Sequence, residues 1–164
     1  MRSFLRQFKG RQHSPLVQFI KYAIAGAIAT AVHVCLFYFC ALKLLPALNQ
    51  HDVFAGLLHL RVATVSDAIR ARNSVIDNVI AFIFSNLTAY LINIVWVFES
   101  GRHHRVVEIG FFYLVSGIST FIGSALMGFL IGRFGITTTV AFGANVVVSL
   151  MINFVLRKYV IFKR

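Results

Sequence analysis

Residues 78–98 read NVIAFIFSNLTAYLINIVWVF, a run without a single charged side chain. As an α-helix rising about 1.5 Å per residue, such a run crosses a hydrocarbon core of roughly 30 Å. Residues 22–42, 109–132 and 134–156 form three more charge-free runs of similar length. All four are apolar nearly all round, whereas the core helices of a soluble bundle keep a polar face. Composition agrees: 59% of the 164 residues are hydrophobic and 13% charged, with a mean hydropathy of +0.80, beyond the range of soluble domains. The first run exceeds the h-region of about 7–15 residues found in cleaved leaders and lacks a well-placed small-residue cleavage site, so it is expected to stay. The expected fold is an all-α integral membrane bundle in one domain, with four transmembrane helices at about 16–42, 76–98, 107–132 and 136–160.

Lys and Arg set the expected orientation. Arg2, Arg6, Lys9, Arg11 and Lys21 precede the first charge-free run, Arg102 and Arg105 lie between the second and third, and Arg157, Lys158, Lys163 and Arg164 close the chain. These segments share one side of a four-span protein, which places both termini in the cytoplasm. The other side carries Lys43, Arg61, Arg70, Arg72 and Arg133, partly offset by Asp52, Asp67 and Asp77. The net charge of +11 is then topology plus attraction to anionic lipid. A nucleic-acid partner would need a basic folded domain, and the sequence offers none.

Residues 43–75 make a long external connection in which Phe54, Leu57, Leu58, Val62, Val65 and Ile69 recur at near-helical spacing. An interfacial amphipathic helix and a loosely ordered loop both fit that pattern. Pro46 and Asn49 end the first helix.

Catalytic and metal chemistry have no foothold in the pattern. Cys35 and Cys40 are five apart on one helix and so face different ways, and no nucleophile–base pair, phosphate-cradling glycine loop or paired carboxylates occur. No cofactor is expected and an enzyme is not. His33, in mid-membrane, requires a partner.

The two halves repeat. FIKYAIAGAIATAVH (19–33) aligns with GFFYLVSGISTFIGS (110–124), matching Tyr22 with Tyr113 and Gly26 with Gly117, and the closing stretches match Phe98 with Phe162 and Asn93 with Arg157. Two spans separate corresponding elements, so the chain reads as two helical hairpins in parallel repeat. Gly26, Ala27 and Thr30, like Ser116, Gly117, Thr120 and Gly123, allow close helix approach.

With its opening QFIKYAIAGAIATAVH, its second helix ending YLINIVWVFES and its closing MINFVLRKYVIFKR, the chain resembles the GtrA-like family of small four-span bacterial membrane proteins, over about residues 16–42 and 76–164. The long 43–75 connection departs from the family's short loop. The resemblance implies translocation of a polyprenyl-phosphate-linked monosaccharide across the bacterial inner (cytoplasmic) membrane for envelope polysaccharide glycosylation.

Flipping such a lipid is opposed mainly by desolvation of its hydroxyl-rich, anionic head. Polar residues within the spans are therefore candidate partners. Helix two offers Asn78, Ser85, Asn86, Thr88 and Asn93; helix four offers Asn145, Ser149 and Asn153. Asn86 and Asn93 are seven apart, and Asn145, Ser149 and Asn153 are spaced by four, so each set follows one helical face. A sugar lane and interhelical hydrogen bonds of about 0.6 kcal/mol each both fit these stripes. Lys21, Arg157 and Lys158 lie at the cytoplasmic boundary, where they can pair with a lipid phosphate or snorkel to bulk headgroups. Trp96, Phe98, Tyr159 and Phe162 read as an interfacial belt.

A non-transporting accessory protein, recruiting a polyprenyl-phosphate glycosyltransferase through its basic face, is the rival reading. A small cation exporter ranks third, because it needs a carboxylate inside a span and the four runs hold none. Four short helices make a thin wall around a sugar, which favours a homo-oligomer.

Overall fold

In the computed structural model, residues 15–97 and 105–156 are described. Four long helices and one short one account for most of them: α1 (Pro15–Lys43), α2 (Val53–Leu57), α3 (Asp67–Ile92, continued by a π-helical turn over Asn93–Val97), α4 (Arg105–Phe134) and α5 (Thr138–Leu156). Phe19–Lys43, Asp67–Val97 and Ser116–Phe134 are each long and apolar enough to cross a membrane, and Thr138–Ile152 adds a shorter apolar helix. The protein is an all-α, four-helix membrane bundle.

Burial is inverted relative to a soluble protein. Phe121 is 75% exposed and Leu150 65%, while Asn78 and Ser119 are wholly buried and Asn145 is 4% exposed. In water that arrangement would leave a large apolar surface uncovered. In a bilayer it puts apolar side chains against lipid and gives polar ones partners inside.

α1 packs along α3, α3 along α4 and α4 along α5. The ring closes from α5 back to α1 through side chains: Phe37 stacks on Phe142 at 4.0 Å, and the Tyr38 hydroxyl donates to Thr139 at 3.0 Å. Gly128 permits the tight α3–α4 crossing, since a Cβ there would lie 2.9 Å from Val75.

α3 begins at Asp67 rather than at the expected 76. Ser66 caps it, accepting from the Ile69 amide at 3.4 Å, with Asp67 in the first turn, a favourable pairing with the helix dipole. The apolar run marks only the part of the helix that lies in lipid. Of the expected 43–75 connection, Val53–Leu57 forms a short helix capped by Asp52.

Two of the charges expected outside the membrane on this connection, Asp52 and Arg70, are structural. The Asp52 carboxylate is 1% exposed and accepts from the Phe54 amide at 3.0 Å and the Thr139 amide at 2.9 Å, so one acid caps both α2 and α5. Arg70 is wholly buried and donates to the Ile136 carbonyl at 2.7 Å, the Gly135 carbonyl at 3.1 Å, Thr138 at 3.3 Å and Asp67 at 2.8 Å. Asn73 donates to the Pro46 carbonyl at 2.9 Å and Thr138 to the Ala47 carbonyl. Gly135 reverses the chain between α4 and α5 at φ 63°, a left-handed conformation suited to glycine. This capped end of the bundle is stitched across the α1–α2 and α4–α5 connections. Asp77 differs from expectation most: it lies inside α3 with no exposed surface.

Candidate functional site

About halfway along the bundle the four long helices line an open-sided cavity of about 220 Å³. α1 contributes Thr30 and His33, α3 contributes Asn78, Ser85 and Asn86, α4 contributes Ser116 and Thr120, and α5 contributes Asn145 and Ser149, with Phe82, Phe142 and Val146 among the apolar part of the wall. Among the described residues, no Lys, Arg, Asp or Glu lines it.

Asn78 is the hub. Its side-chain carbonyl lies 2.9 Å from His33 Nε2 and accepts the Asn145 amide at 3.2 Å, while its own amide donates to Ser124 at 2.7 Å. An acceptor facing Nε2 assigns the proton of a neutral imidazole to Nε2, which leaves Nδ1 as an acceptor 3.0 Å from the Ser85 hydroxyl, whose one proton is shared between Nδ1 and the Phe82 carbonyl at 3.2 Å. The mid-membrane histidine thus has two partners on α3. Its ring also stacks on Phe142 at 5.8 Å, and the Phe142–Phe37 pair closes the cavity toward the capped end.

On the opposite wall, Ser149 donates to the Ser119 carbonyl at 3.2 Å and lies 3.4 Å from the Asn145 carbonyl oxygen. Gly123 makes this possible: a Cβ there would fall 2.1 Å from Asn145 Oδ1 and 2.6 Å from Ser149 Oγ. The glycine is the space that these two polar groups occupy. Asn86 is 8% exposed, and its side-chain amide nitrogen has no hydrogen-bond partner among the described residues. The residue lines the cavity, while that nitrogen itself is buried.

The structure brings some of the candidate lane residues together and separates others. Asn86, Asn145 and Ser149 line one cavity, although Asn145 bonds to Asn78 rather than to the Asn86 stripe. Asn93 does not line it. It is buried in the π-helical turn, its side-chain oxygen unpartnered among the described residues. The Asn153 side chain, Arg157 and Lys158 lie outside the described residues, as do Phe98, Tyr159 and Phe162.

Lys21 differs from its expected place at a headgroup. It has no exposed surface; its ammonium donates to the Trp96 carbonyl at 3.2 Å and sits 5.3 Å from the centre of the Trp96 ring, a cation–π distance. The π-helical turn supplies the opportunity, because its altered hydrogen bonding re-aims backbone carbonyls. Lys21 thus ties the start of α1 to the end of α3. Spacing within one helix shows none of the His33–Asn78, Asn145–Asn78 or Lys21–Trp96 pairings, although a histidine in lipid announces that it has a partner somewhere.

A four-helix membrane protein with a mainly apolar cavity that carries polar side chains from all four long helices is the class that this geometry defines. The family model for the GtrA/DPMS transmembrane domain matches residues 21–162, and the chain belongs to that family. Comparison with curated proteins and with solved structures returns no match.

Proposed function

We propose that this protein flips a polyprenyl-phosphate-linked monosaccharide across the bacterial cytoplasmic membrane, for use in glycosylating envelope polysaccharide. The observation that carries the reading is the cavity, where uncharged polar residues of all four long helices converge about halfway along the bundle. A sugar head loses its water on entering the bilayer, at a cost of a few kcal/mol per unpaired hydroxyl. Asn86, Asn145 and Ser149 offset that cost by hydrogen bonding, with Asn93 and Asn153 extending the lane toward the chain termini.

The volume suits one sugar ring: it corresponds to roughly seven waters at about 30 Å³ each. The absence of charge in the wall suits a neutral ring, with the phosphate held near Lys21, Arg157 and Lys158. For Lys21 this requires the phosphate to displace the Trp96 carbonyl. The polyprenyl tail stays in lipid at the α1–α5 seam, where the helices meet only through side chains. No covalent bond is made or broken in this step.

The test is reconstitution in liposomes with a labelled polyprenyl-phosphate sugar, following its exposure to a reagent that cannot cross the bilayer. Acceleration without any glycosyltransferase is the expected result, slowed by neutral replacements of Lys21, Arg157 and Lys158. No acceleration from folded protein would leave the accessory role, recruiting a glycosyltransferase, in its place.

In the same reading both termini are cytoplasmic and the capped end is external, following the Lys and Arg distribution. With Cys35 and Cys40 replaced by alanine, an impermeant thiol reagent applied to intact cells is expected to label Gln50→Cys and not Arg164→Cys. The reverse pattern would invert the orientation.

A further inference from the structure

Asp77 is the one acid within the apolar body of α3, at about 15 Å along the axis from Asp67 on a rise of 1.5 Å per residue. It has no exposed surface, and neither carboxylate oxygen has a hydrogen-bond partner among the described residues. Among the described residues, it has no ion-pair partner. On α1, Cys40 lies within its electrostatic reach, Tyr38 is bonded to Thr139 and His33 is held between Asn78 and Ser85. Arg70, two turns away on α3, is committed to Asp67, two carbonyls and Thr138. Asp52 is committed to Phe54 and Thr139. Residues 119–132 of α4 and 138–152 of α5 contain no ionisable side chain.

A bare carboxylate in that setting costs several kcal/mol, and intramembrane acids persist where they do something. A metal ion is a poor occupant. It needs several oxygen ligands at once, yet among the described residues no group of three His, Cys, Asp or Glu is placed to hold one. Nearby polar groups are also turned away: the Ser74 hydroxyl donates to the Ala71 carbonyl at 2.9 Å, and the Asn73 amide to Pro46. A proton needs one oxygen only.

We propose that Asp77 is a proton-binding site whose occupancy decides whether the capped half of the bundle is closed. With the proton bound, Asp77 is neutral and fits the closed packing seen here, beside the cluster that includes Phe37, Ala41 and Met127. Release of the proton leaves a charge that only water can stabilise, and the capped half opens to admit it. Closure therefore consumes a proton from the aqueous side reached by the open state, and re-opening returns it. If the protein flips lipid as proposed above, a proton gradient biases the cycle; that coupling rests on the transport reading, while the proton-dependent closure does not.

Cys40 reports closure, being 2% exposed. In a Cys35→Ala background its labelling by a small impermeant thiol reagent is followed against pH, and the rate is divided by that of the Asp77→Asn variant to remove the thiol's own ionisation. Asn mimics a protonated Asp in shape, so the variant is expected to fold closed. The ratio should rise roughly tenfold or more between about pH 5 and pH 8, and infrared spectra should show a protonated carboxyl band that Asp77→Asn deletes. Asp77→Glu must keep the pH response, which covers the case in which Asn fails to fold.

A ratio flat with pH, or no such band at any pH, overturns the proposal; so does a ratio that follows sodium at fixed pH. In proteoliposomes the proton gradient should alter wild-type lipid flux and leave the Asp77→Asn flux unchanged, and wild-type flux indifferent to the gradient overturns the coupling. If labelling and infrared behave as expected but no variant moves lipid, the transport reading has failed and the proton site stands.

Discussion

Arg70→Met is expected to lower the unfolding stability of the detergent-solubilised protein by about 3 kcal/mol, the low end of what loss of one member of a buried charged network costs. The guanidinium has no exposed surface and holds the Ile136 and Gly135 carbonyls at 2.7 and 3.1 Å, so Met leaves two acceptors at the α4–α5 turn without their donor. The Asp67 contact contributes little to this figure, because that carboxylate is 54% exposed and screened by water. Arg70→Lys should fall between, since an ammonium keeps the charge but lacks the planar fork that reaches both strands of the turn. Denaturant titration followed by helical circular dichroism reads the effect. A Met variant that unfolds at the wild-type midpoint would mean that Asp52, Asn73 and Thr138 hold the capped end without Arg70.

That network also shows where sequence reading reached its limit. Four charge-free runs are enough to give the four membrane helices, because hydrocarbon thickness fixes run length and charges mark its edges. The same logic misplaces anything charged that is buried by tertiary contact. Arg70, Asp52 and Asp77 lie outside the apolar runs and so read as loop charges, yet all three are buried. The start of α3 was legible in Ser66 and Asp67, a cap followed by an acid in the first turn, but a count of charges overrides that signal.

The cavity was half legible for a similar reason. Spacing within a helix says which residues share a face, and it groups Asn86 with Asn93 and Asn145 with Ser149. It says nothing of which face meets which. His33 and Asn78 are brought together by the α1–α3 packing, and Gly123 looks like any small residue until Asn145 Oδ1 is found where its Cβ would be. The Lys21–Trp96 pairing depends on a π-helical turn, and YLINIVWV shows no Gly or Pro to announce one.

Asn86 separates transport from packing more sharply than its neighbours do. Asn78 and Asn145 bond to other side chains, so replacing either disturbs the bundle as well as any ligand. The Asn86 side-chain amide nitrogen has no partner among the described residues, although the residue is 8% exposed and lines the cavity. If it only packs, Asn86→Leu removes an unsatisfied polar group and should leave stability within about 0.5 kcal/mol of wild type or above it. If it receives a sugar hydroxyl, the same change removes a donor at the point where the head is most desolvated. Liposome flipping of the labelled lipid should then fall about tenfold or more, equivalent to about 1.4 kcal/mol on the barrier. Asn86→Gln keeps a donor and is expected to recover part of the rate. Monodisperse, normally stable Asn86→Leu protein that flips at the wild-type rate would remove Asn86 from the lane, and the polar residues around it would be accounted for by the hydrogen bonds that join α1, α3, α4 and α5.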